Sequence, residues 1–207
     1  MDQMKGKASI AFEHPPVIAS AASAAGTKEG EGPLGDLFDY VAVEDTLGKE
    51  NWEEAESALQ EKAARLAITK AGYQQQEIRY LFAGDLLGQL IATSFGLLDL
   101  EIPIFGLFGA CSTMGESMSL GAMAVGGGYA QKVLSMASSH FATAEKQFRF
   151  PLGYGSQRPL SASWTVTGCG AVVIREEGGK GLAKITGITT GKMVDLGIKD
   201  SANMGAA

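Results

Sequence analysis

The stretch from Ile102 to Met118 constrains the fold more than any other, because its residue pattern changes in the middle. An apolar run bounded by Pro103 and Gly109 predicts a buried strand. Apolar residues then recur at the three- and four-residue spacing of one helix face: Met114, Met118, Ala122 and Val125. The sequence therefore predicts a strand, a tight turn and a helix, in that order.

Cys111 lies at the predicted turn between the strand and the helix. We expect Gly109 to let the backbone bend there, as in a nucleophile elbow. Free amides at the start of a helix favour an anion, which here is either a thiolate or the carboxylate of a ligand. Spacing alone leaves a second interpretation equally open, in which Cys111 is a small buried apolar residue.

Composition narrows the functional classes. The 207 residues, of which 45% are hydrophobic and 19% charged, are typical of a globular chain with one sizeable domain or two small ones. The net charge of −6 and the lack of a basic stripe argue against nucleic-acid binding.

The two cysteines, Cys111 and Cys169, form no disulfide framework and favour a reducing compartment. His14 and His140 have no metal-ligand spacing, so no protein metal site is predicted.

No signal peptide or transmembrane segment is predicted. The small-residue run Val17 to Ala25 resembles a signal peptide, but Glu13, His14 and two prolines interrupt the order from charged to apolar residues. The longest apolar candidate, Leu86 to Phe108, contains charged residues and a proline. We expect a cytoplasmic protein, or one bound peripherally to a membrane.

The rest of the chain alternates between strand and helix patterns. Helices are predicted from the Asn51 cap to Gly72 and from Leu86 to Leu98. Strands are predicted at residues 8–12, 17–22, 77–83, 133–137 and 168–174, and residues 182–189 are expected to form a hairpin with the last of these. Residues 141–163 show no clear period and predict a long loop that is either functional or a subunit contact. This order favours an α/β domain with a mainly parallel core.

Three predicted strand ends carry residues capable of chemistry: Asp85, Cys111 and His140. Ligands of open α/β sheets gather at the carboxyl ends of strands, so these residues are candidates for one site. Asp85 could instead be a loop or cap residue, and His140 could be a satisfied structural histidine.

Several segments together resemble the N-terminal half of the thiolase superfamily, and within it a sporulation family of endospore-forming bacteria. The segments that carry this resemblance span nearly the whole chain: Glu31 to Gly35, Ala83 to Leu87, Leu107 to Thr113, Ser138 to His140, Ala142 to Glu145, Thr167 to Val173 and Asp195 to Ile198. The resemblance implies a thiolase-like α/β fold with a mainly parallel, mixed sheet and helices on both faces. It also implies that residues 1–207 form one N-terminal domain, with the second half of the fold absent from the chain.

The resemblance further implies a non-catalytic protein that binds dipicolinic acid and supports its uptake into the developing spore, with a link to spore germination. The implied ligand-binding residues are Cys111, Ser112, His140 and Asp85. The implied partners are membrane proteins of the stage V sporulation A operon at the spore inner membrane, and a second copy of the chain in a dimer or other homo-oligomer. No cofactor is implied, apart from calcium that could accompany dipicolinate.

Physical chemistry is compatible with a planar dianion at the elbow. Helix amides would bind one carboxylate, small residues would let a flat ring approach, and His140 could donate to the ligand. Asp85 is awkward beside a dianion unless it is protonated, meets calcium or orients a neighbour. The alternative function is a thiolase-type acyltransferase or condensing enzyme with Cys111 as nucleophile, although the acid–base residues of the second half of such a fold would be missing.

Overall fold

The computed structural model describes residues 3–86, 88–148 and 165–197. The strands are β1 (Met4–Lys5), β2 (Ser9–Ala11), β3 (Val17–Ala25), β4 (Tyr40–Val41), β5 (Tyr80–Asp85), β6 (Ile104–Gly106), β7 (Lys132–Ser139), β8 (Gly168–Arg175), β9 (Ala183–Lys184) and β10 (Gly187–Thr189). The helices are α1 (Thr27–Gly30), α2 (Trp52–Ala71), α3 (Ile91–Gly96), α4 (Thr113–Gly126) and α5 (Phe141–Phe148).

One mixed sheet forms the centre of the molecule, with the strand order β4-β3-β8-β7-β5-β6 and with β9 beside β3. Strand β5 is parallel to both β6 and β7, whereas β8 is antiparallel to β7 and β3. The predicted α/β class with a mixed sheet is confirmed. A small second sheet joins β1, β2 and β10.

The two faces of the central sheet are covered by different helices. One buried cluster packs α2 against the sheet through small residues such as Ala63 and Ala67, which let the helix approach closely. The other packs α4 against the opposite face, where Val125 meets Phe82 of β5. Because both faces are covered, strands such as β5 and β7 are buried along most of their length rather than at alternate residues.

Helix α2 has the predicted ends. The Asn51 side chain accepts a hydrogen bond of 2.8 Å from the Glu54 amide, and Gly72 ends the helix in the left-handed conformation, with φ of 73°. The polar cap and the glycine stop are local signals, which is why the sequence alone located both boundaries.

The predicted helix from Leu86 to Leu98 is wrong in extent. Helix α3 covers only Ile91–Gly96, and a separate 3-10 turn follows at Leu98–Leu100. Gln89 and Leu90 adopt positive φ angles of 50° and 69°, which interrupt a helix. The Asp85 carboxylate accepts hydrogen bonds from the amides of Leu90 and Thr93. These two amides therefore bond to a side chain instead of to the backbone carbonyls of a preceding helical turn.

Three further expectations need correction. Strand β6 is a short edge strand with Ile104 45% and Phe105 50% exposed, because only β5 pairs with it among the described strands. Residues 182–189 form no hairpin with β8, since β9 pairs with β3 and β10 pairs with β2. The expected loop from Phe141 begins as helix α5, and its residues 149–163 lie outside the described residues.

Candidate functional site

The carboxyl ends of β5, β6 and β7 meet at one edge of the sheet. In the parallel register Asp85 lies opposite Ser138, and Ala83 lies opposite Gly106. The Leu107 amide continues the β5–β6 ladder with a 2.8 Å bond to the Ala83 carbonyl. The chain segments that carry Asp85, Cys111 and His140 therefore leave the sheet at the same edge.

The elbow between β6 and α4 is closed by hydrogen bonds within itself. The Gly109 amide donates to Thr113 Oγ1 at 3.2 Å, and that hydroxyl donates to the Ala110 carbonyl at 2.8 Å. The Ser112 hydroxyl donates to the Gly109 carbonyl at 2.7 Å. Because Ser112 is engaged in this way, its side chain does not cap the amides at the start of α4.

The sequence predicts the sharp bend of the elbow at Gly109, but the structure has it at Ala110. Ala110 has a positive φ of 48°, which is unfavourable for a residue with a Cβ, whereas Gly109 has an ordinary φ of −113°. A Cβ at Gly109 would lie 2.5 Å from the Glu116 carboxylate and 2.7 Å from Ser112 Oγ, so these two side chains would have to move to admit a larger residue. A strained backbone is a frequent feature of functional sites.

Cys111 is exposed and has no disulfide partner, so the interpretation of this residue as a buried apolar one is wrong. Cys169 is the buried cysteine, and burial raises the pKa of its thiol far above the usual range, with the Glu56 carboxyl adding to the effect. The two cysteines are therefore chemically distinct, with Cys111 open to solvent at the elbow.

Asp85 is fully buried, and its carboxylate is occupied by the protein. One oxygen accepts the Leu90 amide at 3.1 Å, and the other accepts the Thr93 amide at 3.1 Å and the Thr93 hydroxyl at 2.7 Å. Through these three bonds Asp85 fixes the segment that follows β5. This geometry corresponds to the orienting role considered for Asp85, rather than to a carboxylate that faces a ligand.

His140 is also fully buried, and both of its ring nitrogens are engaged. The Ala142 amide donates to Nδ1 at 3.2 Å, which makes Nδ1 an acceptor, so the ring hydrogen on Nε2 is directed at the Asp45 carbonyl at 2.8 Å. The ring lies 5.4 Å from the Trp52 ring and 5.0 Å from the Phe141 ring. A ligand that binds His140 must replace one of these backbone partners.

Several residues of this region escaped the sequence analysis. Helix α2 places Glu56 and Gln60 in the buried layer beneath the strand ends, where both bond to Ser138. The sequence contains a signal for their burial, because Glu56 and Gln60 are four positions apart and adjoin the apolar face of Leu59 and Ala63. Among the described residues, no group of three or more His, Cys, Asp or Glu side chains is arranged to hold a metal ion.

The mixed sheet, the covering helices and the cysteine elbow define a thiolase-like fold. The structure superposes on 3-oxoacyl-[acyl-carrier-protein] synthase III of Aquifex aeolicus with a TM-score of 0.56 at 16% identity, covering 78% of this chain and 54% of that one. A variant of Xanthomonas campestris OleA gives a TM-score of 0.52 at 16% identity, covering 80% and 57% of the two chains. At these identities the likeness shows the fold alone.

The sequence comparisons identify the particular family. The family model for stage V sporulation protein AD matches residues 6–207. Stage V sporulation protein AD of Bacillus subtilis is 45% identical over 205 residues, which cover 99% of this chain and 60% of that protein. The chain therefore belongs to the stage V sporulation protein AD family, and it spans about three-fifths of the length of this relative.

Across the described ranges, none of the helices is both long and apolar enough to cross a membrane.

Proposed function

We propose that this protein binds dipicolinic acid at the edge where β5, β6 and β7 end, and that it supports the uptake of dipicolinate into the developing spore without catalysing a reaction. The observation that carries the proposal is the elbow itself. An exposed Cys111 lies in the 3-10 turn Ala110–Ser112 that leads directly into the 14-residue helix α4, and the Ser112 side chain does not cap that helix. Such a helix start favours a carboxylate ligand.

The shape and charge of dipicolinate fit this surface. Gly109, Ala110 and Ser112 are small, so a planar ring can approach the backbone beside Cys111. One ligand carboxylate would accept from the amides at the start of α4. The Trp52 and Phe141 rings, which lie beside His140, offer flat apolar surface nearby. Cys111 and Ser112 are the proposed contacts at the elbow, and His140 would contact the ligand only by giving up its bond to the Asp45 carbonyl. Asp85 is proposed to hold the neighbouring segment in place.

Glu116 suggests a role for calcium. Its carboxylate lies beside Gly109 in the first turn of α4, where it would repel a bare dianion. Calcium prefers oxygen ligands, and dipicolinate supplies donors from both carboxylates. We therefore propose that calcium arrives with dipicolinate and that Glu116 is the side chain that faces it.

The acyltransferase alternative is not favoured. A cysteine nucleophile needs a neighbouring base, and the ring of His140 is instead bonded to two backbone groups. The solved condensing enzymes share only 16% of their residues with this chain and support the fold but not the reaction.

The proposed partners follow from the same role. Uptake of a dianion into the spore requires a membrane path, and we propose that membrane proteins of the stage V sporulation A operon supply it. We also propose self-association through the edge strand β6, where Ile104, Phe105 and Phe108 expose apolar surface beside free backbone groups. Light scattering of the wild type and of Ile104→Lys tests this second point, since the variant should remain a monomer.

Calorimetric titration tests the binding proposal. Dipicolinate is titrated with and without calcium into the wild type, into Cys111→Ala and into Ser119→Ala, which alters a hydroxyl on α4 away from the elbow. Benzene-1,3-dicarboxylate, which lacks the ring nitrogen, and benzoate are the control ligands. With calcium present, we expect the wild type to bind dipicolinate tightly and neither control ligand, Cys111→Ala to bind dipicolinate at least tenfold more weakly, and Ser119→Ala to bind it as the wild type does. Equal affinities in all three proteins would place the ligand elsewhere, and no binding by the wild type would overturn the proposal.

A further inference from the structure

Two buried carboxyl groups lie at opposite ends of one chain of hydrogen bonds. The Ser138 hydroxyl donates to Glu56 Oε1 at 2.7 Å, and Gln60 Nε2 donates to Ser138 Oγ at 2.6 Å. The same amide nitrogen donates to Thr93 Oγ1 at 3.0 Å, and the Thr93 hydroxyl donates to Asp85 at 2.7 Å. Every member of this chain is buried, so the protonation states of its two ends are set by the protein rather than by water.

The two carboxyls receive very different donors. Asp85 accepts two backbone amides and a hydroxyl, which is a favourable environment for an ionised group. Glu56 is 1% exposed, and its oxygens contact only the hydroxyls of Ser138 and Thr143. Among the described residues, no lysine or arginine is paired with it. The donor sets therefore leave Glu56, and not Asp85, as the buried carboxyl that lacks both amide donors and a cationic partner among the described residues.

The contacts of the Thr143 hydroxyl indicate that Glu56 carries a proton. It has a single hydrogen but lies 2.8 Å from Glu56 Oε2 and 2.9 Å from the carbonyl of His140. If Glu56 carries a proton on Oε2, it can donate to Thr143 Oγ1, and the Thr143 hydrogen can then bond the His140 carbonyl. A neutral Glu56 thus satisfies both contacts at once, whereas an ionised Glu56 would compete for the single hydrogen.

We propose that Glu56 is held as a neutral carboxylic acid and that it positions His140, by linking helix α2 through Thr143 to the first turn of α5. Glu56 is a positioning residue, since it touches the backbone turn of His140 and not the ligand. The importance of this role for dipicolinate rests on the proposed function, but the protonation state of Glu56 does not.

The surroundings of Glu56 agree with this assignment. Burial raises the pKa of the Glu56 carboxyl above its usual value, and the hydroxyls of Ser138 and Thr143, which would stabilise the ionised form, only partly oppose that effect. The carboxylates of Asp85 on β5 and Glu53 on α2 raise the pKa further. Cys169 faces the same position from β8, where it is the register partner of Ser138, and its buried thiol adds no charge.

The pH dependence of folding tests the protonation state. An unfolded glutamate titrates near about pH 4.3. The pKa of Glu56 is higher in the folded protein than in the unfolded chain. Its contribution to stability is therefore fully present below about pH 4.3 and is lost as the pH rises to the pKa of the folded state. Glu56→Gln keeps the shape and the neutral state but cannot titrate. We expect the ratio of folding equilibrium constants, variant over wild type, to rise by up to about tenfold per pH unit above about pH 4.3, until the pH passes the folded pKa.

Glu61→Gln is the matched control for this experiment, because Glu61 lies on the same helix but in an exposed pair with Arg65. Its ratio should not rise with pH. A ratio for Glu56→Gln that is flat or falls with pH would overturn the proposal. If that variant fails to fold, carbon-13 spectra of glutamate-labelled wild type decide the matter. One side-chain carboxyl should keep the shift of a protonated acid at a pH at which the other glutamates have titrated, and titration of all of them near about pH 4.3 would refute the assignment.

Nitrogen-15 spectra of the His140 ring test the positioning without any ligand. The spectrum of Glu56→Gln should retain the wild-type shifts, with the hydrogen on Nε2, because the amide can still donate to Thr143 Oγ1. Glu56→Ala should change these shifts, and unchanged shifts in that variant would overturn the positioning role. If the wild type has the hydrogen on Nε2 of His140 but does not bind dipicolinate, that result would count against the proposed function and not against the role of Glu56.

Discussion

Asp85→Ala tests whether Asp85 acts by holding structure rather than by facing a ligand. Removing the carboxylate leaves the amides of Leu90 and Thr93 without their acceptor. The Thr93 amide is buried, whereas the Leu90 amide is only partly buried and can be reached by water. Leaving one buried donor unsatisfied costs about 1–3 kcal/mol.

Adding the weaker loss at Leu90, we expect Asp85→Ala to lower the free energy of unfolding by about 2–4 kcal/mol. That is a large share of the roughly 5–15 kcal/mol that stabilises a typical domain. Asp85→Asn should lower the free energy of unfolding by at least about 1 kcal/mol. The NH2 group of asparagine would face N–H or O–H groups that donate to Asp85, and two donors cannot bond to each other.

Urea unfolding followed by circular dichroism measures both variants, and hydrogen exchange of the Leu90 and Thr93 amides locates the effect. Asp99→Ala is the matched control, since Asp99 is an exposed acid just beyond α3. A change in the unfolding free energy below about 0.5 kcal/mol for Asp85→Ala, comparable with a neutral surface substitution, would refute this reasoning.

Two further predictions concern the elbow and its surroundings. Iodoacetamide should alkylate Cys111 in the native protein and Cys169 only after unfolding, because burial both shields the Cys169 thiol and raises its pKa; native labelling of Cys169, detected by mass spectrometry, would contradict the structure. Gly84→Ala should lower the free energy of unfolding by about 1–3 kcal/mol, because a Cβ at that position would collide with the Leu107 carbonyl beneath the elbow. Gly170→Ala is its control and should be nearly neutral in urea unfolding, since no atom lies within 4 Å of the added Cβ.

The elements that the sequence predicted correctly depend on local signals. The Asn51 cap, the Gly72 stop and the periodic face of α4 each involve residues a few positions apart. The convergence of the strand ends was also predictable, because parallel strands place their carboxyl ends at one edge.

The errors have a common physical cause, which is contact between residues distant in sequence. The exposure of β6 depends on its place at the edge of the sheet, and the partner of β9 depends on where β3 lies. Asp85 shortened the helix after β5 by binding amides up to eight residues away, which no propensity shows. The place of the strain at Ala110 was equally hidden, since Gly109 is the residue that sequence rules favour for a bend.

The central claim is that dipicolinate binds at the Cys111 elbow, and protection of that thiol from alkylation tests it most directly. The rate at which iodoacetamide labels Cys111 is measured as dipicolinate concentration rises, with calcium present and with benzene-1,3-dicarboxylate as control. We predict that labelling slows with a half-maximal effect at the dissociation constant found by calorimetry, and that the control ligand gives no protection. An unchanged labelling rate at saturating dipicolinate would contradict the account.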